Sequence, residues 1–242
     1  GGCGALRVIA ELIARAKPGA TVWVSDPSWA NHIPLLSGAG IKIAQYPYYD
    51  FEQQSVRFDE MLTCLRAEAS QGDLVLLHGC CHNPSGADLS QNQWVQLASI
   101  LGEKKLVPFI DMAYQGFGDG LEDDAFGLRL MSEQLPEVVF AISCSKNFGL
   151  YRERVGLAGV VGNSAAEAST SLSHMVQIVR GIYSMPPAHG AAVVARILSD
   201  SSLKQQWVAE LNEMRERIGA MRTAVVEGMA GFGHGERFAF IA

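Results

Sequence analysis

Val138-Val139-Phe140-Ala141-Ile142-Ser143-Cys144-Ser145-Lys146 is the stretch on which the fold turns. It opens as the near-continuous apolar run of a strand covered on both faces and stops at a serine-rich step that ends in a lysine. Similar runs lie on either side, at Leu74 to Leu77 and Leu106 to Ile110 upstream and at Gly156 to Val161 downstream. Shorter β-branched runs occupy Thr21 to Ser25 and Ile41 to Tyr46. Between them, apolar residues at helical spacing predict helices over Ala5 to Lys17, Trp29 to Ser37, Asp59 to Ala69 and Gln91 to Gly102. This alternation predicts an α/β fold with a mainly parallel sheet flanked by helices. Beyond Val161, helices are expected over Ala165 to Ile182, Ala188 to Leu198 and Leu203 to about Met229. The closing Phe238-Ala239-Phe240-Ile241-Ala242 alternates like a strand that has no partner after it, and the chain opens on Gly1 rather than Met. Both ends are read as truncations.

Composition narrows the function classes. With 242 residues, 48% hydrophobic and 18% charged, the chain can bury a sizeable core, which leaves no room for a disordered reading. A net charge of -6 removes the attraction that nucleic-acid or anionic-membrane binding relies on. No apolar run has bilayer length, so a small-molecule partner is favoured. The five cysteines include no CxxC pair, which argues for reduced thiols and a cytoplasmic setting. Cys80, Cys81 and His82 are adjacent, and neighbours on a strand point to opposite faces, so no metal site is expected from them.

In open α/β sheets ligands gather beyond the carboxyl ends of the strands, and polar residues cluster there in this sequence. Lys146 at a sheet edge can be desolvated, favouring the free amine that reacts with an aldehyde. An isolated Ser-x-Ser-Lys would more often be a solvated lysine; its company reverses that. Asp111, after the strand at 106 to 110, can keep a pyridine nitrogen protonated, and His32 can support that carboxylate from behind. Tyr114, a turn further on, and Asn83 can donate to a phenolic oxygen. Taken singly, Asp111 is equally a helix cap, Tyr114 a core aromatic and Asn83-Pro84 a turn. Gly2 and Gly4 before a helix, with Ser143, Ser145 and Arg154, offer donors for a phosphate monoester. Trp29 offers a flat face for a heteroaromatic ring, although a loop tryptophan is more often packing.

The stretches Asp-Pro-Ser-Trp-Ala-Asn-His (26 to 32), His-Gly-Cys-Cys-His-Asn-Pro-Ser-Gly (78 to 86), Asp-Met-Ala-Tyr-Gln-Gly-Phe (111 to 117), Ser-Cys-Ser-Lys-Asn-Phe-Gly-Leu-Tyr-Arg-Glu-Arg-Val-Gly (143 to 156) and Tyr-Ser-Met-Pro-Pro-Ala-His-Gly (183 to 190) resemble the aspartate and aromatic-amino-acid aminotransferases, class I enzymes dependent on pyridoxal 5'-phosphate. The likeness runs from Gly1 to Ala242. It implies the large domain of a fold type I transferase, with a mainly parallel, seven-stranded-type sheet over residues 1–200. Residues 201–242 are then a long connecting helix and the beginning of a small α/β domain. It implies a homodimer with shared active sites, acting on amino-acid and 2-oxo-acid substrates by a ping-pong route through a Schiff base on Lys146. In that scheme Lys146 also moves the substrate's α-proton, and Asp111 pairs with the pyridine nitrogen. Tyr114 and Asn83 contact the phenolic oxygen, and Trp29 stacks on the ring. Gly2, Cys3, Ser143, Ser145 and Arg154 cradle the phosphate. Arg180 reaches the neighbouring subunit's site, where its fork suits a distal carboxylate, and with Trp29 and Asn83 it completes the substrate-binding set. A helix-surface arginine is the plainer alternative.

Cys3 stands where the family usually has threonine, and Met185 where it has asparagine or serine, which leaves acidic against aromatic preference open. The arginine that clamps the α-carboxylate and a tyrosine that reaches the partner's phosphate lie outside this sequence. The fragment is therefore expected to be impaired and to bind cofactor better than it turns over substrate. Two further readings stay open: a cofactor-binding domain without turnover, and a lyase or decarboxylase on the same fold.

Overall fold

The computed structural model describes residues 1–241. The chain runs α1 (Gly2–Ala16), β1 (Thr21–Asp26), α2 (His32–Ser37), β2 (Lys42–Pro47), a small hairpin of β3 (Tyr49–Asp50) and β4 (Ser55–Val56), α3 (Phe58–Glu68), β5 (Leu74–His78), α4 (Gln91–Lys104), β6 (Val107–Met112), α5 (Phe126–Gln134), β7 (Val138–Ser143) and β8 (Gly156–Val161). It ends in helices α6 (Ala165–Ile182), α7 (His189–Ser199), α8 (Ser201–Gly231) and α9 (Gly235–Phe238), with a final turn of 3-10 helix at Ala239–Ile241. The main sheet has the order β2-β1-β5-β6-β7-β8. All its pairings are parallel except that of β7 with β8.

Period-two alternation divides the core into two layers. Val22, Val24, Leu74 and Leu76 pack with Leu6, Ile9 and Ile13 of α1 on one face. Trp23, Val75 and Leu77 pack with Met61 and Leu65 of α3 and Leu97 and Leu101 of α4 on the other. A slip of one residue in β5 would exchange these sets, so burial on both faces specifies the register. Helix α4 starts where Ser90 accepts from the Gln93 N–H while the Gln93 side chain accepts from the Ser90 N–H, a capping box. The sheet grows in both directions from β1, so the topological switch lies between β1 and β5. The loops after those strands form the crevice at their carboxyl ends.

Several expectations are corrected. The sheet has six strands among the described residues, not seven. Strand β8 is an edge strand, paired among the described residues with β7 alone, and it is less covered than its composition suggests: Val161 packs against one core layer and Ala158 and Val160 against the other, but Leu157 is 52% exposed. Asp111 lies inside β6, not after it, because β6 continues to Met112 with its parallel partners on both sides. Tyr114 sits in a loop and not a helical turn beyond Asp111, and helix α2 begins at His32, leaving Trp29 in the preceding loop. Cys80, Cys81 and His82 follow the end of β5 in a loop, with Cys81 at φ 49°. The alternating residues 238–241 are helical, since a lone strand has no ladder to join and this segment folds back on α8, where Arg222 donates to the Ile241 carbonyl. Ala242 lies outside the described residues.

Candidate active site

A cavity of about 170 Å³ opens at the carboxyl ends of the central strands. Its wall brings together Gly2, Cys3, Trp29, Asn83, Asp111, Tyr114, Ser143, Ser145, Lys146 and Arg154, which the sequence separates by up to 152 positions. A larger groove of about 1250 Å³ lies at the opposite edge of the sheet, lined by residues such as Leu12, Leu106, Leu135 and Val160, and gathers none of this set.

One end of the cavity is built for an anion. Helix α1 has Gly1 as its N-cap and no side chain satisfying its first turn, so the donors of Gly2 and Cys3 are free of a capping partner. The positive end of the helix dipole adds to them. A Cβ on Gly2 would lie 3.0 Å from the Ser143 Cβ, so glycine is what lets α1 close on the end of β7. Ser143 and Ser145 are buried, and the Ser145 N–H donates to Ser143 Oγ at 3.2 Å. Arg154 has φ 54°, and its guanidinium donates to the Tyr151 carbonyl.

The other end is a buried carboxylate. His32 Nε2 donates to Asp111 Oδ2 at 2.8 Å. Ser28 Oγ lies 2.9 Å from His32 Nδ1 and 3.4 Å from His78 Nε2. The Asn83 N–H donates to His78 Nδ1 at 3.3 Å. These contacts are mutually consistent if His78 donates to Ser28, Ser28 to His32, and His32 to Asp111, which sets each tautomer. Burial pushes the His78 imidazole well below the ordinary histidine value, helped by the nearby His82 and His32 rings. Burial likewise brings His82 down to about 4. His82 is held between Ser25 Oγ at 3.0 Å and Ser85 Oγ at 2.7 Å and stacks on the Tyr48 ring. His78 and His82 are therefore neutral near pH 7.

Lys146 lies between the two ends, half-buried, with Nζ 4.3 Å from the centre of the Tyr114 ring. Asn83 Nδ2 donates to the Tyr114 hydroxyl at 3.5 Å. An amine near an aromatic hydroxyl, a carboxylate at one end and an anion cradle at the other can hold a small phosphorylated heteroaromatic aldehyde and react with it. Trp29 lines the cavity and meets His32 edge-on, with ring centres 5.2 Å apart. Arg180 is not part of this cavity: it is exposed near the end of α6 and donates to Ser184 Oγ at 2.9 Å. Sequence reasoning assigned no role to His78 or Tyr151, both in the wall. His78 carried a usable signal, being the polar residue that closes the apolar β5, while Tyr151 had none beyond its place near Arg154.

Fold and site together define an α/β domain of the kind that binds a reactive small molecule at its strand ends. The family is then shown by comparison: residues 1–239 match the model of aminotransferase class I and II, and the chain belongs to that family. It is 47% identical over 241 residues to an aromatic-amino-acid aminotransferase of Pseudomonas aeruginosa, covering 100% of this chain and 60% of that protein. It is 46% identical over 241 residues to an aspartate aminotransferase of Haemophilus influenzae, covering 100% and 61%. The crystal structure of an aromatic-amino-acid aminotransferase from Burkholderia pseudomallei, covalently bound to pyridoxal phosphate, superposes with a TM-score of 0.97 at 44% identity, over 100% of this chain and 60% of that one. The chain thus spans about 60% of the length of these relatives.

Proposed function

We propose that this chain is the cofactor-binding part of a pyridoxal-phosphate-dependent aminotransferase that moves an amino group between L-aspartate or aromatic L-amino acids and 2-oxoglutarate. The observation that carries this reading is the convergence of an amine, a buried carboxylate and an anion cradle in one cavity. When bound, pyridoxal 5'-phosphate supplies an aldehyde and a pyridine ring that draws electrons from the substrate's α-carbon. Lys146 Nζ would be the amine that faces the aldehyde, and its free base would be the group that carries the substrate's α-proton. Asp111, braced by His32, holds the proton on the ring nitrogen. Tyr114 and Asn83 donate to the phenolic oxygen, and Trp29 covers the ring face. The N–H groups of Gly2 and Cys3, the hydroxyls of Ser143 and Ser145, and Arg154 hold the phosphate. Backbone donors there are independent of the side chain at Cys3, so replacing the usual threonine leaves them intact.

In the same reading residues 1–200 form the large domain and 201–242 lead into a small one. The active unit is a homodimer in which Arg180 serves the neighbouring site. Unpaired cysteines suit a cytoplasmic enzyme, and no helix among the described residues is long and apolar enough to cross a membrane.

A second reading, binding without turnover, is favoured by the cavity wall. Among the described residues its cations are Lys146 and Arg154, and with Arg154 at the anion cradle no second arginine lines it for a substrate carboxylate. Absorbance spectra with added pyridoxal phosphate, before and after borohydride reduction, test the first step. Label mapped to Lys146, and lost in Lys146→Ala with the fold intact, supports the site; label elsewhere or none refutes it. Adding aspartate then separates the two readings, since conversion of the bound cofactor to its amine form means turnover.

A further inference from the structure

Helix α8 is 31 residues long, yet Leu211 is its one buried residue. Beside its packing on α7, it meets the loops of the cavity through Trp207 and Leu211, one turn apart on the same face. Trp207 Nε1 donates to the carbonyl of Asn147 at 2.7 Å, and its indole stacks on Phe148 at 4.4 Å between ring centres and 9° between planes. Asn147 and Phe148 directly follow Lys146. The Asn147 side chain is buried, and its Nδ2 donates to the carbonyl of Gln115 at 3.2 Å, the residue directly after Tyr114. Its Oδ1 has no partner among the described residues, so the side chain is held through its amide nitrogen alone. Leu211 packs against Gly116, where a built Cβ would lie 2.4 Å from the leucine Cδ2. The two loops that present Lys146 and Tyr114 to each other are therefore tied together one residue beyond each, and α8 grips both sides of the tie.

From this we infer that Trp207 is a positioning residue, through which α8 sets the placement of Lys146 against Tyr114. The inference rests on the cofactor reading of Lys146. Its cause is local: without the indole donor the Asn147 carbonyl loses its anchor, and the turn that carries Lys146 relaxes toward the cavity. Any shift of α8 against the sheet reaches the amine by the same route, which couples whatever α8 leads into with the reacting group.

Trp207→Phe keeps the ring stacked on Phe148 and removes the donor to Asn147. Trp94→Phe is the control for general destabilisation, because Trp94 is buried against Gly127 between α4 and α5, away from the cavity. Both variants and the parent chain are loaded with pyridoxal phosphate and titrated by visible absorbance, with borohydride labelling and urea midpoints measured on each. The expected result is a shift of the absorbance midpoint by about half a pH unit or more in Trp207→Phe and no shift in Trp94→Phe. A parental midpoint in Trp207→Phe, or an equal shift in both variants, overturns the inference. Absence of label at Lys146 in the parent overturns the cofactor reading and this inference with it, an outcome distinct from labelled chains that titrate alike.

Discussion

Lowering the pH from 7 to 4.5 should destabilise the chain through His82, and replacing His82 by Gln should remove that share of the loss. The ring is 2% exposed and its folded value is about 4, against 6.5 for an unhindered imidazole, because burial penalises the charged form. A histidine lowered in this way stays neutral in the folded chain while the unfolded chain takes up a proton. Stability is therefore whole above pH 6.5 and falls as the pH drops, with the loss complete only once the pH is below about 4. The gap of roughly 2.5 units corresponds to about 3 kcal/mol in full, of which somewhat over 2 kcal/mol has gone by pH 4.5. His78, also lowered by burial, adds a loss of the same sign as the pH falls below the ordinary histidine value. The assay is urea unfolding of the parent and His82→Gln at pH 7, 6, 5 and 4.5, with free energies from linear extrapolation. Gln can still bond Ser25 and Ser85, so the variant should fold and should lose about 2 kcal/mol less than the parent across the range. Parallel pH profiles would refute the reasoning, because they would mean that His82 accepts its proton equally well in the folded chain.

Asp111→Ala should cost about 1–3 kcal/mol in urea unfolding at pH 7, since it strips the 2.8 Å partner from a His32 ring that is 1% exposed. The same variant should release pyridoxal phosphate on gel filtration under conditions where the parent retains it; full retention would remove Asp111 from the cofactor site. On the proposed function, Arg180→Ala should lower kcat/KM for aspartate at least tenfold more than for phenylalanine, the scale of one lost charge-assisted carboxylate contact of about 1.5 kcal/mol or more. Equal losses on both donors would leave Arg180 as a surface arginine bonded to Ser184.

Local pattern was enough wherever burial and period agree. The apolar run Leu74 to Leu77 could only be a strand covered on both sides, and Gln91 to Gly102 needed only Ser90 as its cap to start where expected. Lys146, Asp111 and the serines meet in one cavity for a related reason: each is a polar residue closing or following an apolar run, and a parallel sheet delivers all such ends to one edge. The failures share a physical cause, which is that pairing and covering are tertiary facts. Gly156 to Val161 has the composition of a covered strand, but whether anything lies against its outer edge is not encoded within those residues. Residues 238–241 alternate correctly and still do not extend, because a strand without a neighbour leaves its backbone groups unpaired.

The hold of Trp207 on Asn147 was out of reach for the same reason. Sixty positions separate donor from acceptor, and on α8 the indole is one apolar residue among many at helical spacing. Chemistry-bearing residues announce themselves by standing out from an apolar background, as Lys146 does; the residues that aim them are apolar or amide side chains that blend into it. A reading of the sequence therefore recovers the polar residues that line a cavity more readily than the residues that hold them. Asn147 and Trp207 show where the difference matters: neither lines the cavity, yet Trp207 bonds the backbone directly after Lys146 and the Asn147 side chain bonds the backbone directly after Tyr114.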